Sequence, residues 1–156
     1  MGLVEQRLKD LGFALPPLRP YVADYVPAKM VGDLVFCSGH GPTANGQPVF
    51  RGRVGREITL KQAVKAAELA TLNCLATIKS LIEDLDRVAE VVKVTGFVNS
   101  AEDFFVHSDV LNGCSRLLVQ VFGEERGKHA RTTIGTSNLV NNLPVIIDMI
   151  VQVRQG

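Results

Sequence analysis

"PVIIDMIVQV", residues 144–153, is the stretch on which the fold turns. Successive side chains of a strand point to opposite faces. Read as a strand, this segment has one wholly apolar face (Val145, Ile147, Met149, Val151, Val153). The other face mixes Ile146 and Ile150 with Asp148 and Gln152. The first face calls for a covering layer of helices. The second is too apolar to lie open to water, so it is expected to be buried by association of copies.

The helices that supply the covering layer are found upstream. Thr59-Leu60-Lys61-Gln62 fits a capping box, with Thr59 as N-cap and Gln62 reaching back. From there Leu60, Val64, Ala67, Thr71, Leu75, Ile78, Ile82 and Leu85 recur at three or four, which predicts a long helix. The small residues Ala63, Ala66, Ala67 and Ala70 suit close packing on a sheet. "DFFVHSDVLNGCSRLLVQVFG" predicts a second helix, with Val106, Val110, Cys114, Leu117, Leu118 and Val121 on one stripe. Between the two helices, "RVAEVVKVTGFVNS" reads as a strand. Ala28–Val31 and Leu34–Ser38 flank the two-residue turn Gly32-Asp33 as a hairpin. Because "LVFCSG" is almost wholly apolar, that strand is expected to be central and covered on both faces. Asn45-Gly46 marks a further turn. Arg131–Thr136 and Pro144–Val153 complete the strands.

Ahead of them, Leu3, Val4, Leu8 and Leu11 predict a short helix ended by Gly12, followed by the connector "PPLRPYVADYVP" with four prolines. The order β-β-α-β-α-β-β predicts an α+β fold, one sheet with both long helices on one face. Residues 1–156 are read as one domain, 1–24 being the N-terminal helix and Pro-rich connector.

Bulk chemistry narrows the function classes. The 17 basic and 16 acidic residues leave a net charge of +1, which gives no field for steering toward nucleic acid or an anionic membrane. The three cysteines, Cys37, Cys74 and Cys114, form no CxxC pair and read as packed thiols, so a reducing cytoplasm is the expected location. The opening MGLVEQRLKDLG carries charges throughout and is not expected to be a signal peptide, and no apolar run reaches the ~18 residues of a membrane span. His40, His107 and His129 lack metal-ligand spacing, and "CSGHG" is neither a nucleophile elbow nor a dinucleotide loop.

One cation stands apart. In "GKHARTTIGTSNL", residues 127–139, Arg131 opens a strand, and the acids within eight positions are Glu124 and Glu125, which precede the turn. The next alternate positions, Thr133 and Gly135, are small and leave room above the guanidinium. Arginine is the side chain best shaped for a two-point grip on a carboxylate, so a ligand carboxylate is a credible partner.

"YVPA…GDLVFCSGHGP", "GFVNSAEDF", the helix bearing "VLNG" and "HARTTIG…LPVIIDMIVQV" occur in this order. The chain thereby resembles the RidA (YjgF) family of enamine/imine deaminases, in the branch with an extended N-terminus, from about Leu3 to Val153. The resemblance implies a chorismate-mutase-like fold and a homotrimer whose sheets form a central barrel, with ligand clefts between subunits. It places the substrate carboxylate on Arg131 and the cleft-closing aromatic at Tyr25. It places the hydroxyl and backbone N–H at Ser38 and Gly39, the helix Asn at Asn112, and the small residue two after the Arg at Thr133. The implied chemistry is hydrolysis of a 2-imino acid to a 2-keto acid and ammonia, with no metal or organic cofactor. The partner is a small carboxylate-bearing metabolite, and neither nucleic acid nor membrane is expected.

The chain departs from the family in the last strand. Many members carry an acid where this chain has Ile146; the next acidic position, Asp148, is the remaining catalytic candidate in this strand and lies roughly 6.6 Å further along the same face. Two readings therefore stay open: a deaminase, and a trimer that binds small carboxylates without turnover. An endoribonuclease, a name attached to some of the family, is the weakest reading on charge.

Overall fold

In chain order the elements are α1 (Leu3–Asp10), β1 (Ala28–Val31), β2 (Leu34–His40), β3 (Thr43–Ala44), β4 (Gln47–Pro48), α2 (Leu60–Ile82), β5 (Val88–Asn99), α3 (His107–Phe122), α4 (Glu124–Gly127), β6 (Ala130–Thr136) and β7 (Val145–Val153). They come from a computed structural model that describes residues 1–18, 20–21 and 23–156. Of the expected Pro-rich connector, Arg19 and Val22 lie outside the described residues.

Five strands form one sheet in the order β1-β2-β7-β5-β6, and β3 and β4 make a separate two-stranded hairpin. Among the five strands of this sheet the β5–β6 pairing is parallel and the others are antiparallel. Helix α3 provides the crossover that a parallel pair requires. The hairpin turns carry the residues their backbones demand. Gly32 has φ +60 between β1 and β2, and Asn45 and Gly46 have φ +52 and +77 between β3 and β4. The capping box at the head of α2 is complete: Gln62 N donates to Thr59 Oγ1, and Thr59 N donates to Gln62 Oε1.

Both long helices lie on one face, as the α+β reading predicts. β7 alternates strictly between buried and half-buried positions, and its buried set is Val145, Ile147, Met149, Val151 and Val153. Against them α2 presents Ala63, Ala66, Ala67, Ala70 and Cys74, all fully buried. Small residues also bring the helices close to their neighbours. A Cβ on Gly113 of α3 would sit 2.5 Å from the Val64 carbonyl oxygen of α2.

Three details differ from expectation. β2 is not covered on both faces: Phe36 is 43% exposed, because among the described residues no helix lies over the side of the sheet opposite α2 and α3. The α2 stripe does not continue to Leu85, because Glu83 adopts φ +73 and ends the helix; Leu85 is still buried, in a 3-10 turn. Leu60 and Val106, read as stripe members, are exposed because they sit at or before the first helical residue. The open sheet face carries Phe36, Phe97, Ile134, Ile146 and Ile150 around Lys93, Thr95 and Asp148.

Candidate functional site

Arg131 lies on β6, an edge strand, with its side chain turned toward α3. Its Nη1 donates to Asn112 Oδ1 at 2.9 Å and to Ser115 Oγ at 3.1 Å, both on α3. A guanidinium has five N–H donors, and both of these bonds use Nη1. The Nε–H and the two Nη2–H groups have no acceptor among the described residues, and no carboxylate there lies within ion-pairing distance. A groove of about 390 Å³ opens beside it, lined by Ser115, Arg116, Val119, Glu124, His129 and Arg131 among others. Asn112, the helix Asn of the sequence reading, therefore meets Arg131. Thr133, two residues on and on the same side of β6, has a buried Oγ1 without a hydrogen-bond partner among the described residues.

His129 completes this edge. Its Nδ1 lies 2.7 Å from the Gly127 carbonyl oxygen, and its Nε2 lies 2.9 Å from Ser115 Oγ. Burial lowers its pKa below the ordinary histidine value; the Gly127 contact opposes that shift and the Arg131 charge reinforces it.

The other expected residues lie elsewhere. Ser38 and Gly39 occupy the end of β2, where the register with β7 slips between Cys37 and His40. Ser38 Oγ donates to the Val26 carbonyl at 2.7 Å, so its hydroxyl proton is held by the chain's own backbone. Gly39 is needed for close approach: a Cβ there would come within 2.8 Å of Ile146 Cγ2. Tyr25 is exposed and stands edge-on to Tyr21, with ring centroids 5.5 Å apart. Gly39, Tyr25 and Tyr21, but not Ser38, border a cavity of about 300 Å³ that is also walled by Pro16, Asn73 and Ile146. Asn73 Nδ2 donates to the Gly41 and Thr43 carbonyls, which fixes α2 to the cavity wall. Beneath it His40 meets Tyr21 through Nδ1 at 3.3 Å. With Cys74, its larger influence, His40 holds the buried Cys37 thiol down to about 6.

Asp148 does not border this cavity; Ile146 does. Asp148 lies on the open sheet face opposite Thr95, and burial raises its pKa despite the Thr95 hydrogen bond and the Lys93 charge. Apart from Asp148 on β7, the expected site residues thus form two groups, one at β2 and one at β6. With β7 and β5 between them, three strand spacings of ~4.8 Å separate the groups by roughly 14 Å. One chain does not bring them together.

Ser115 and His129 did not stand out in the sequence. Ser115 lies three residues after Asn112, hence on the same helix face, and His129 lies two before Arg131, hence on the same side of the strand. Both spacings pointed to Arg131 once that residue was singled out. Among the described residues, no group of three or more His, Cys, Asp or Glu is placed to hold a metal, and no helix is long and apolar enough to cross a membrane.

Comparison with known proteins places this arrangement. Protein TCP17 of Trypanosoma cruzi is 34% identical over 153 residues, covering 98% of this chain and 96% of its own. The crystal structure of a protein of unknown function from Agrobacterium tumefaciens, Atu1372, is 39% identical with a TM-score of 0.90, over 98% of this chain and 93% of that one. A crystal structure named a "putative endoribonuclease", from Shewanella oneidensis, is 28% identical with a TM-score of 0.92, over 97% of this chain and 100% of that one. Residues 5–151 match the family described as "YjgF/chorismate_mutase-like, putative endoribonuclease". With its helix-backed five-stranded sheet, the chain belongs to the YjgF/chorismate-mutase-like family.

Proposed function

We propose that this protein is a hydrolase that converts reactive 2-imino or enamine acids to 2-keto acids and ammonia, working as a homotrimer. Arg131 holds the substrate carboxylate. The observation that carries this reading is the state of Arg131, a guanidinium at a groove whose Nε and Nη2 donors have no acceptor, and which has no carboxylate within ion-pairing distance, among the described residues. Such a fork takes a carboxylate in two parallel charge-assisted bonds.

Association supplies what one chain lacks. The apolar open sheet face gives a reason for copies to pack, and a neighbour set against the β6 edge would bring its own Tyr25, Ser38, Gly39 and Ile146 toward Arg131. The carboxylate on Arg131 orients the C=N carbon, and the Gly39 backbone lies where water or the imine nitrogen would be held. Water adds to the carbon, a proton moves to nitrogen, and the carbinolamine collapses to the keto acid with loss of ammonia. Orientation supplies much of the rate when the substrate is intrinsically reactive.

Coupling an amino-acid oxidase to the purified protein tests the reading: keto acid should form faster than in the uncatalysed control. Rates equal to that control across imines from small, branched and aromatic amino acids would defeat it.

A second reading is favoured by Ile146. An isoleucine at the cavity wall neither moves a proton nor orients water, and the missing acid or base is worth ~10²–10⁴-fold in rate. On this reading the trimer captures small carboxylates without turnover. Stabilisation by 2-keto acids that Arg131→Ala abolishes, with no keto acid formed from any imine, would select it. The endoribonuclease named for the Shewanella protein finds little support here, because 17 basic against 16 acidic residues leave no surplus charge for a phosphate backbone.

A further inference from the structure

Arg131 is held from behind by a chain of hydrogen bonds whose direction is fixed. The Gly127 carbonyl can only accept, so His129 Nδ1 donates to it. The neutral imidazole then has a bare Nε2, which accepts the Ser115 hydroxyl proton. With its proton committed to His129, Ser115 Oγ turns a lone pair to Arg131 Nη1, beside the acceptor that Asn112 supplies. Both Nη1 donors are thereby engaged on the α3 side, and the Nε–Nη2 edge is left for a ligand. The guanidinium plane is set by residues that a carboxylate on that edge never touches.

We propose that Ser115 and His129 are positioning residues for Arg131, holding its guanidinium edge ready for a carboxylate and making the grip on that carboxylate depend on the charge of His129. This rests on the reading of Arg131 as the carboxylate holder. When His129 gains a proton, Nε2 becomes a donor to Ser115 Oγ, and a second positive charge stands one hydroxyl away from the guanidinium. A bound carboxylate offsets the repulsion between the two cations and so raises the His129 pKa. By linkage, whatever raises the proton affinity of the complex also makes binding tighten as the proton is taken up. Affinity therefore increases as pH falls through the His129 pKa, which burial sets below the ordinary histidine value. The other charges facing His129 are Arg131 on β6, Arg116 on α3, Glu124 on α4 and Lys128 after it. Glu124 and Lys128 pair with each other at 2.9 Å.

The test is calorimetric titration of the full-length protein with 2-oxobutanoate, which stays ionised, at several values between pH 5.5 and 8. The parent should bind severalfold more tightly at the acidic end. His129→Gln keeps both hydrogen bonds, since its amide N–H reaches Gly127 and its oxygen accepts from Ser115, but it cannot titrate. Its affinity should show a flat profile between pH 5.5 and 8. Ser115→Ala should bind about tenfold more weakly at pH 8, the scale of one lost hydrogen bond to a charged group, and Ser115→Thr should restore binding. Thermal melts confirm that each variant is folded. If 2-oxobutanoate binds and needs Arg131, yet Ser115→Ala and His129→Gln behave like the parent at every pH, the positioning role is overturned while the carboxylate site stands. If the parent does not bind 2-oxobutanoate, or Arg131→Ala binds it equally well, the reading of Arg131 fails and this inference falls with it. Because the readout is binding, an absence of turnover bears only on the deaminase.

Discussion

Ile146→Glu puts an acid into the wall of the 300 Å³ cavity, none of whose described lining residues is Asp or Glu. The side chain at 146 is half-buried, stands across from Phe97 in the sheet, and approaches Gly39 closely. Fully burying an isoleucine is worth ~1.5–3 kcal/mol, so half-burial puts its removal at about 1 kcal/mol. The new carboxylate reaches the cavity, where water hydrates it, which keeps its desolvation modest. For a chain of this size each kcal/mol shifts Tm by ~2–4 °C, so the variant should melt a few degrees lower and remain folded. The expected gain is larger: a positioned acid or base contributes ~10²–10⁴-fold, equivalent to about 3–5 kcal/mol of barrier. The assay is keto-acid formation coupled to an amino-acid oxidase, followed from pH 4.5 to 8. The new carboxyl must be ionised to work, so the rate should fall as pH drops through its pKa, a limb absent from the parent. If kcat stays within threefold of the parent while 2-oxobutanoate still binds, the reacting water does not lie beside residue 146.

Three further outcomes follow from the packing. Gly113→Ala drives a methyl into the Val64 carbonyl, 2.5 Å away; overpacking of this kind costs ~1–3 kcal/mol, against a helix-propensity gain of up to ~1 kcal/mol, so the variant should melt several degrees lower, and a Tm at or above the parent's would contradict the close α2–α3 crossing. Phe36→Glu places a charge on the open sheet face, where the phenyl ring is 43% exposed in the isolated chain; sedimentation should show smaller species than the parent, and an unchanged assembly would mean that copies meet elsewhere. Burial raises the Asp148 pKa above its ordinary 3.8, so the folded chain binds that proton more tightly than the unfolded chain and loses stability as pH rises through this window. Asp148→Asn should remove that loss, its Tm advantage over the parent growing from pH 4 to 6, and parallel curves would refute the assignment.

The parts of the fold legible in the sequence were those set by local rules. The capping box at Thr59, the Asn45-Gly46 turn and the alternation along β7 each depend on neighbours within a few residues, and each is found as read. The misreadings have a common cause. Composition marks the LVFCSG strand as apolar, but whether an apolar strand is covered on both faces depends on what lies over the sheet, and here Phe36 stays exposed among the described residues. The end of α2 was missed because periodicity carries on through Leu85, whereas one residue, Glu83, leaves the helical region.

The site divides along the same line. Arg131 was legible because a cation at a strand start with no nearby acid is a local anomaly. Its support was not, since Ser115 and His129 matter only through a contact between α3 and the start of β6. The two groups of expected residues stand at different positions across the sheet, and no rearrangement of side chains closes a gap of roughly 14 Å. A second copy closes it without strain if the open face is where copies meet, because the contact that covers Phe36 and Ile134 then also sets one chain's cavity against another's guanidinium. Stability and catalysis would thus share one interface. The Phe36→Glu variant should accordingly lose keto-acid formation together with its assembly, while Arg131 in the separated chains keeps its bonds to Asn112 and Ser115, both of which come from its own chain.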